Sequence, residues 1–214
     1  MAYDFNGTTQ SLTANSAVVT STPLTIAVWC NFDVVTGASK DIVALSSKTA
    51  QSIYRLNLNP TNTPPMRIVD RGGASTASQY LGSPSAGVWF HYAGVFTSTT
   101  SRTPFFNGSA GATNTTLINH PTLPDSTSIS GFFDGISSIS QRCDGKIAEV
   151  GIWDAALTAA EVASLAKGMT CDKIRPQSLV FYAPLVRNLQ DAKGGLTITN
   201  NGGATVATHP RVYA

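Results

Sequence analysis

Asp144–Gly168, DGKIAEVGIWDAALTAAEVASLAKG, is the stretch whose reading decides the fold. Two hydrophobic periods meet inside it. From Lys146 to Asp154 the residues are β-rich and mostly apolar, with Ile147, Val150, Ile152 and Trp153 as the bulk, which predicts a strand buried on one or both faces. At Leu157 the period changes. Thr158 precedes Glu161 by three residues, the spacing of a capping box, in which each side chain satisfies a free backbone N–H of the other at a helix start. Leu157 and Val162 then stand at the N′ and N4 positions of a hydrophobic staple. Val162, Leu165 and Ala166 share one face, and Gly168 can supply the left-handed residue after the last turn. The pattern predicts one short helix near Thr158–Lys167, lying across the edge or end of a sheet.

Outward from this stretch the chain reads as strands. Pro23–Asp33 alternates, with Leu24, Ile26, Val28 and Cys30 on one face and Thr25, Ala27, Trp29 and Asn31 on the other. Val88–Thr97 is the next clearest strand, and Pro104–Gly108 follows at hairpin distance. Tyr3–Leu12 reads as a hairpin, because Asn6-Gly7 is a type I′ turn signal. Ile42–Ser47, Ile53–Leu58, Met66–Val69, Thr115–Asn119 and Ser128–Phe133 are shorter strand-like runs, and Leu179–Leu185 and Leu196–Thr199 are apolar enough to close the fold. Pro60–Pro65 and the run from Gly72-Gly73 onward read as loops. There is no internal repeat and no linker. The expectation is a single all-β domain over residues 1–214, a sandwich of short strands.

The central stretch also carries a family resemblance. Gly145, Ile147, Val150, Ile152 and Trp153, followed by Leu157, Thr158, Glu161 and Val162, resemble the strand-and-helix signature of laminin-G-like jelly rolls and the corresponding segment of pentraxins. Trp89, His91, Ala93 and Val95 are similar to the family's W-x-H-x-A strand, and Asn107-Gly108 to the end of its next short strand. The resemblance covers about residues 3–170, leaving 171–214 as closing strands and a tail, and it implies a concanavalin A-like jelly-roll β-sandwich with one short α-helix. Such a fold hosts many activities. Chains of this kind that begin M-A-Y-D-F-[ND]-G also resemble phage-encoded accessory virion proteins.

Composition narrows the function classes. Of the 214 residues 12% are charged, against roughly 25% in ordinary domains. Ser, Thr, Asn and Gly take their place, which suits polar recognition or packing among neighbouring subunits. The net charge is +2 and Lys and Arg form no run, so nucleic acid is not an expected partner. No apolar stretch approaches the ~20 residues of a membrane span, so no membrane insertion is expected. MAYDFNG has neither a charged start nor a long apolar run, so no signal peptide is expected. Of the three cysteines, Cys30 reads as a small buried hydrophobe, and Cys143 and Cys171, flanking the central stretch, could pair as a disulfide.

Catalytic chemistry finds little footing. Glu149 and Asp154 are the best acidic pair, but five positions apart they fall on opposite faces of a strand. No G-x-S-x-G occurs, and His91, His120 and His209 stand in unrelated contexts, with His91 reading as a histidine inside a sheet. No C-x-x-C or H-x-x-x-H zinc spacing is present. The chain is therefore expected not to be an enzyme. No cofactor is expected either, with calcium as the one open possibility: Phe133-Asp134-Gly135 resembles a pentraxin ligand loop, which makes Asp134 the candidate ligand, against the plain alternative of a turn. Sugars stack their C–H faces on exposed rings. Tyr54, Tyr80, Phe132 and Phe133 are the candidate rings, each weighed against a place in the core, and the glycan site is assigned to Tyr80, Arg71 and Asp134. The composition and the resemblance together imply a non-catalytic structural protein on a virion surface, a phage capsid decoration or other surface accessory protein, made in the host cytoplasm and contacting itself or capsid and other virion proteins. The alternative is a free glycan-binding module, calcium-assisted or not, directed at cell-surface glycans.

Overall fold

The computed structural model describes residues 1–186 and 188–213. In chain order the strands are β1 (Ala2–Asn6), β2 (Ser11–Ala14), β3 (Leu24–Phe32), β4 (Lys40–Ser46), β5 (Ser52–Leu58), β6 (Met66–Gly72), β7 (Ser75–Tyr80), β8 (Phe90–Ser98), β9 (Ser101–Phe106), β10 (Ser109–Ala110), β11 (Ser126–Ile129), β12 (Phe132–Phe133), β13 (Ile139–Ser140), β14 (Asp144–Trp153), β15 (Leu179–Ala183), β16 (Thr199–Asn201) and β17 (Thr205–Ala207). The α-helix, α1 (Ala159–Ala166), lies between β14 and β15. An eight-stranded antiparallel sheet runs β10-β9-β8-β3-β14-β1-β17, with β15 also paired to β14. A seven-stranded antiparallel sheet runs β16-β2-β11-β4-β5-β6-β7, and β12 and β13 form a separate hairpin. This is the expected all-β jelly-roll sandwich with one short helix.

Two apolar layers follow from the strand patterns. Between the sheets Leu24, Ile26, Val28 and Cys30 of β3 meet Leu56, Leu58, Met66 and Ile68 of β5 and β6. On the far side of the eight-stranded sheet Trp153, Val162, Leu165, Ile174 and Leu179 form a second core under α1. β14 serves both, and Glu149 is the reason. Its φ of +52° makes a bulge, at which the register with β3 slips between Ala148 and Gly151. Val150 and Ile152 thereby join Ile147 on the inter-sheet side, while Trp153 turns out beneath α1 and donates from Nε1 to the Ile174 carbonyl at 2.8 Å.

The helix start is as the sequence implies. Thr158 Oγ1 accepts from the Glu161 N–H, Glu161 Oε2 accepts from the Thr158 N–H, and Leu157 and Val162 are both buried in the second core. Gly168, at φ +98°, ends the helix, and its N–H donates to the Leu165 carbonyl.

Several local expectations change. Asn6-Gly7 is a turn, with Asn6 Oδ1 accepting from the N–H groups of Thr8 and Thr9, but it does not close a hairpin. β1 pairs β14 in one sheet and β2 pairs β11 in the other, so the turn carries the chain across the sandwich. The run after Gly72-Gly73 is a strand, β7, and Tyr80 is its last residue rather than a loop residue. Thr115–Asn119 is no strand: the Thr116 carbonyl is taken by the Arg102 guanidinium at 2.6 Å. The last apolar run pairs later than expected, as Thr199–Asn201. All three cysteines are free and buried, Cys30 and Cys143 between the sheets and Cys171 in the core under α1. β14 separates Cys143 from Cys171, so the suspected disulfide does not form.

Candidate functional site

The outer face of the seven-stranded sheet, turned away from the inter-sheet core, carries the site. Alternation on β5 and β6 sends Tyr54, Leu56, Ile68 and Asp70 inward and Arg55, Asn57, Arg67 and Arg71 outward. Strand register then sets cross-strand rows. Asp41, Asn57, Arg67 and Tyr80 make one, Arg55, Val69 and Ser78 the next, and Ile53, Arg71 and Thr76 the third.

Three guanidiniums and two carboxylates share this face. Arg55 and Asp41 form a buried ion pair at 2.9 Å, and Arg55 lies against the Phe132 ring at 4.1 Å from its centroid. Burial pushes the Asp41 carboxyl up to about 6, against the lowering pull of Arg55, Asn57 and Arg67. Burial likewise lowers the Arg55 guanidinium from its ordinary value, opposed by Asp41. Arg67 donates from Nε to Asn57 Oδ1 at 2.6 Å and from Nη1 to the Tyr80 hydroxyl at 3.2 Å. Arg71 meets Asp134 at 3.0 Å and also donates to the Gln51 side chain and the Gly73 carbonyl.

The structure brings Arg71 and Asp134 together, while Tyr80 pairs with Arg67, two rows away from Arg71. Of the four candidate rings, Tyr54, Phe132 and Phe133 are buried, and Tyr80 is partly open. Arg55 and Arg67 were not foreseen. The signal lay in the period-two spacing of Arg55 and Asn57, and of Arg67, Val69 and Arg71, on strands whose alternate positions are mostly apolar. Asp134, already neutralised by a guanidinium, does not make a calcium site by itself, and no group of three or more His, Cys, Asp or Glu residues is placed to hold a metal among the described residues.

A Ser–His–Asp arrangement is also present. Ser52 Oγ lies 2.6 Å from His120 Nδ1, and His120 Nε2 lies 2.7 Å from Asp70 Oδ1. Asp70 Oδ2 is 3.0 Å from Arg102 Nε, and Arg102 donates to the carbonyls of Thr99 and Thr116. Ser52 is 1% exposed and Arg102 fully buried, so a substrate carbonyl has no approach to the hydroxyl. The network ties the 111–121 loop to the sheet edge, and the Asn119 carbonyl runs so close to Gly72 that a Cβ there would collide with it. Glu149 is equally enclosed, accepting from the Tyr182 hydroxyl at 2.6 Å and lying 3.0 Å from His209 Nε2, whereas Asp154 is exposed. His91 is buried in β8 as expected, edge-on to Trp29, although its Nδ1 has no hydrogen-bond partner. No helix is long and apolar enough to cross a membrane among the described residues.

Comparison with known proteins bears on the fold. The model of the concanavalin A-like lectin/glucanases superfamily matches residues 6–163. Among solved structures, the chain is similar to a native heptameric SAP-like pentraxin from Limulus polyphemus (TM-score 0.67, 18% identity, 95% of this chain and 93% of that one). It is also similar to a putative carbohydrate binding protein from Bacteroides ovatus (TM-score 0.69, 17% identity, 100% of this chain and 61% of that one). A third is the CBM40 of the Ruminococcus gnavus IT-sialidase, bound to alpha2,3 sialyllactose (TM-score 0.60, 12% identity, 77% of this chain and 95% of that one). At these identities the likeness is one of fold. A search of curated protein sequences gives no match.

Proposed function

We propose that this chain, which belongs to the concanavalin A-like lectin/glucanases superfamily, is a non-catalytic glycan-recognition domain that binds across the outer face of its seven-stranded sheet. The observation that carries the reading is the half-open polar cluster of Arg67, Arg71, Asp134 and Tyr80 on the outer face of the sheet. Guanidinium and carboxylate groups there can bond sugar hydroxyls, and the Tyr80 ring offers a C–H stacking surface. The lectin-like fold of the similar structures, among them a putative carbohydrate binding protein, supports it. Calorimetric titration of a glycan panel tests it. Binding that weakens for both Arg71→Ala and Tyr80→Ala is expected, and no binding by any glycan, or binding indifferent to both changes, overturns it.

A second reading, a particle-surface accessory protein of a virion that contacts itself or a shell, is favoured by a different observation. Met169 and Tyr213, bridged to one another, are 42% and 56% exposed on a chain of low charge. Contacts through such groups would be weakly salt-dependent. Sedimentation across a salt series tests it: a salt-resistant oligomer or particle complex is expected, and a monomer with no particle association rejects it.

A further inference from the structure

The β12–β13 hairpin stands on the outer face of the seven-stranded sheet, where the Phe133 N–H donates to Ser46 Oγ and Ser128 Oγ donates to the Gly131 carbonyl. It divides that face. On one side lies the arginine row, and on the other, over β2 and β16, lies a second cleft of about 290 Å³. Its walls are hydroxyl and amide groups of Ser11, Thr13 and Asn201 facing the Ser137-Ser138 turn, with Phe133, Ile139 and Arg142 completing it.

Two of these residues carry unanswered hydrogen-bonding groups. Ser11 Oγ is buried without a partner, on a residue wholly out of solvent. Arg142 Nε is buried without a partner too, and the Arg142 guanidinium makes no hydrogen bond or ion pair among the described residues. Arg142 is half-buried and free to take a ligand, whereas Ser11 Oγ, sealed from solvent, is reached by nothing that enters the cleft. Asn201 already donates to Thr13 Oγ1 at 2.9 Å, so its amide is held in position.

We propose that this cleft is a second binding site, distinct from the arginine row, for a small hydroxylated carboxylate of the kind a single uronic-acid residue presents. The chemistry follows the lining. Arg142 is its one charged group, a planar fork suited to a carboxylate. The hydroxyl and amide walls suit ring hydroxyls. The site does not depend on the arginine row.

The test uses the full chain with glucuronate as probe and glucose as neutral control, read by amide chemical-shift titration. Glucuronate is expected to shift the resonances of Ser138, Arg142 and Asn201, with an affinity at least about tenfold above that of glucose. Arg142→Gln should remove the glucuronate response, and Arg71→Ala should leave it intact. Equal responses to glucose and glucuronate, an unchanged response in Arg142→Gln, or no response at all would overturn the proposal. A loss of the response in Arg71→Ala would also do so, by assigning it to the arginine row.

Discussion

Arg71 and Asp134, 63 positions apart, meet at 3.0 Å on the outer face of the seven-stranded sheet, and the contact joins strand β6 to the loop that follows β12. The two side chains are 24% and 36% exposed, so the pair adds little to stability, at most about 1 kcal/mol. Its value lies in fixing two polar groups of opposite sign at one place. Arg71→Ala should therefore leave urea denaturation within about 1 kcal/mol of the parent while glycan affinity falls about tenfold or more, a loss of about 1.4 kcal/mol or more in binding. A large loss of stability with unchanged affinity would make the pair a structural clasp instead.

Trp153 is fully buried beneath α1 and its indole N–H is bonded to Ile174. Trp153→Ala is expected to cost on the order of 3–5 kcal/mol in chemical denaturation, because a large cavity opens in a core closed by one short helix. Thr158→Ala should cost about 1 kcal/mol through the lost cap. The two changes touch the same helix, so their sum is expected to deviate from additivity, which the double variant measures.

Asp70 and Arg102 form a buried ion pair, with side chains 1% and 0% exposed. Arg102→Met should destabilise by about 3–5 kcal/mol, because it leaves a carboxylate buried with only His120 beside it. Adding Asp70→Leu to that variant should recover much of the loss. Limited proteolysis gives the local readout: cleavage within residues 111–121 is expected to speed up in the single variant, since Arg102 holds the carbonyls of Thr99 and Thr116.

His91 sets a pH dependence. Burial lowers its imidazole from 6.5 to about 3 in the folded chain, so the unfolded chain binds the extra proton between those values. The stability that the neutral ring contributes is complete above pH 6.5 and is lost as pH falls toward 3. Asp41 acts in the opposite sense, since its raised carboxyl favours folding at low pH and loses that contribution as pH rises from 3.8 through about 6. The His91 share is isolated by difference. Against His91→Leu, the parent should lose about 1.4 kcal/mol more per pH unit on acidification in that window, as followed by thermal melts. Parallel curves would show that His91 is protonated without cost.

Those elements that the sequence determined by itself are the ones written in a local period. The Thr158–Glu161 box, the Leu157–Val162 staple and the Gly168 stop lie within one helix length, and the structure reproduces all of them. The four inward residues of β3 follow from alternation alone. Trp153 was legible as bulk but not as to its face, because the Glu149 bulge resets the alternation in mid-strand. Arg71, Tyr80 and Asp134 could be named one at a time, as residue types suited to a sugar. Which of them meet could not, since cross-strand register pairs Tyr80 with Arg67 and a loop brings Asp134 to Arg71.

Only the tertiary structure decided where turns lead and which buried groups share a core. Asn6-Gly7 encodes a reversal of direction in either setting. Whether the next strand pairs its predecessor or crosses to the opposite sheet depends on β14 and β11, which lie more than a hundred residues away. Cys143 and Cys171 flank one strand in sequence and end on opposite sides of the sheet it belongs to. Ser52, Asp70 and His120 carry no common motif, because they are gathered from β5, β6 and a loop pinned by Arg102. The same holds for Ser11 and Arg142, which a hairpin folded onto the sheet brings to one cleft. Side-chain period is a property of neighbours along the chain, whereas sheet order and loop placement are set by the burial of faces that distant segments must share.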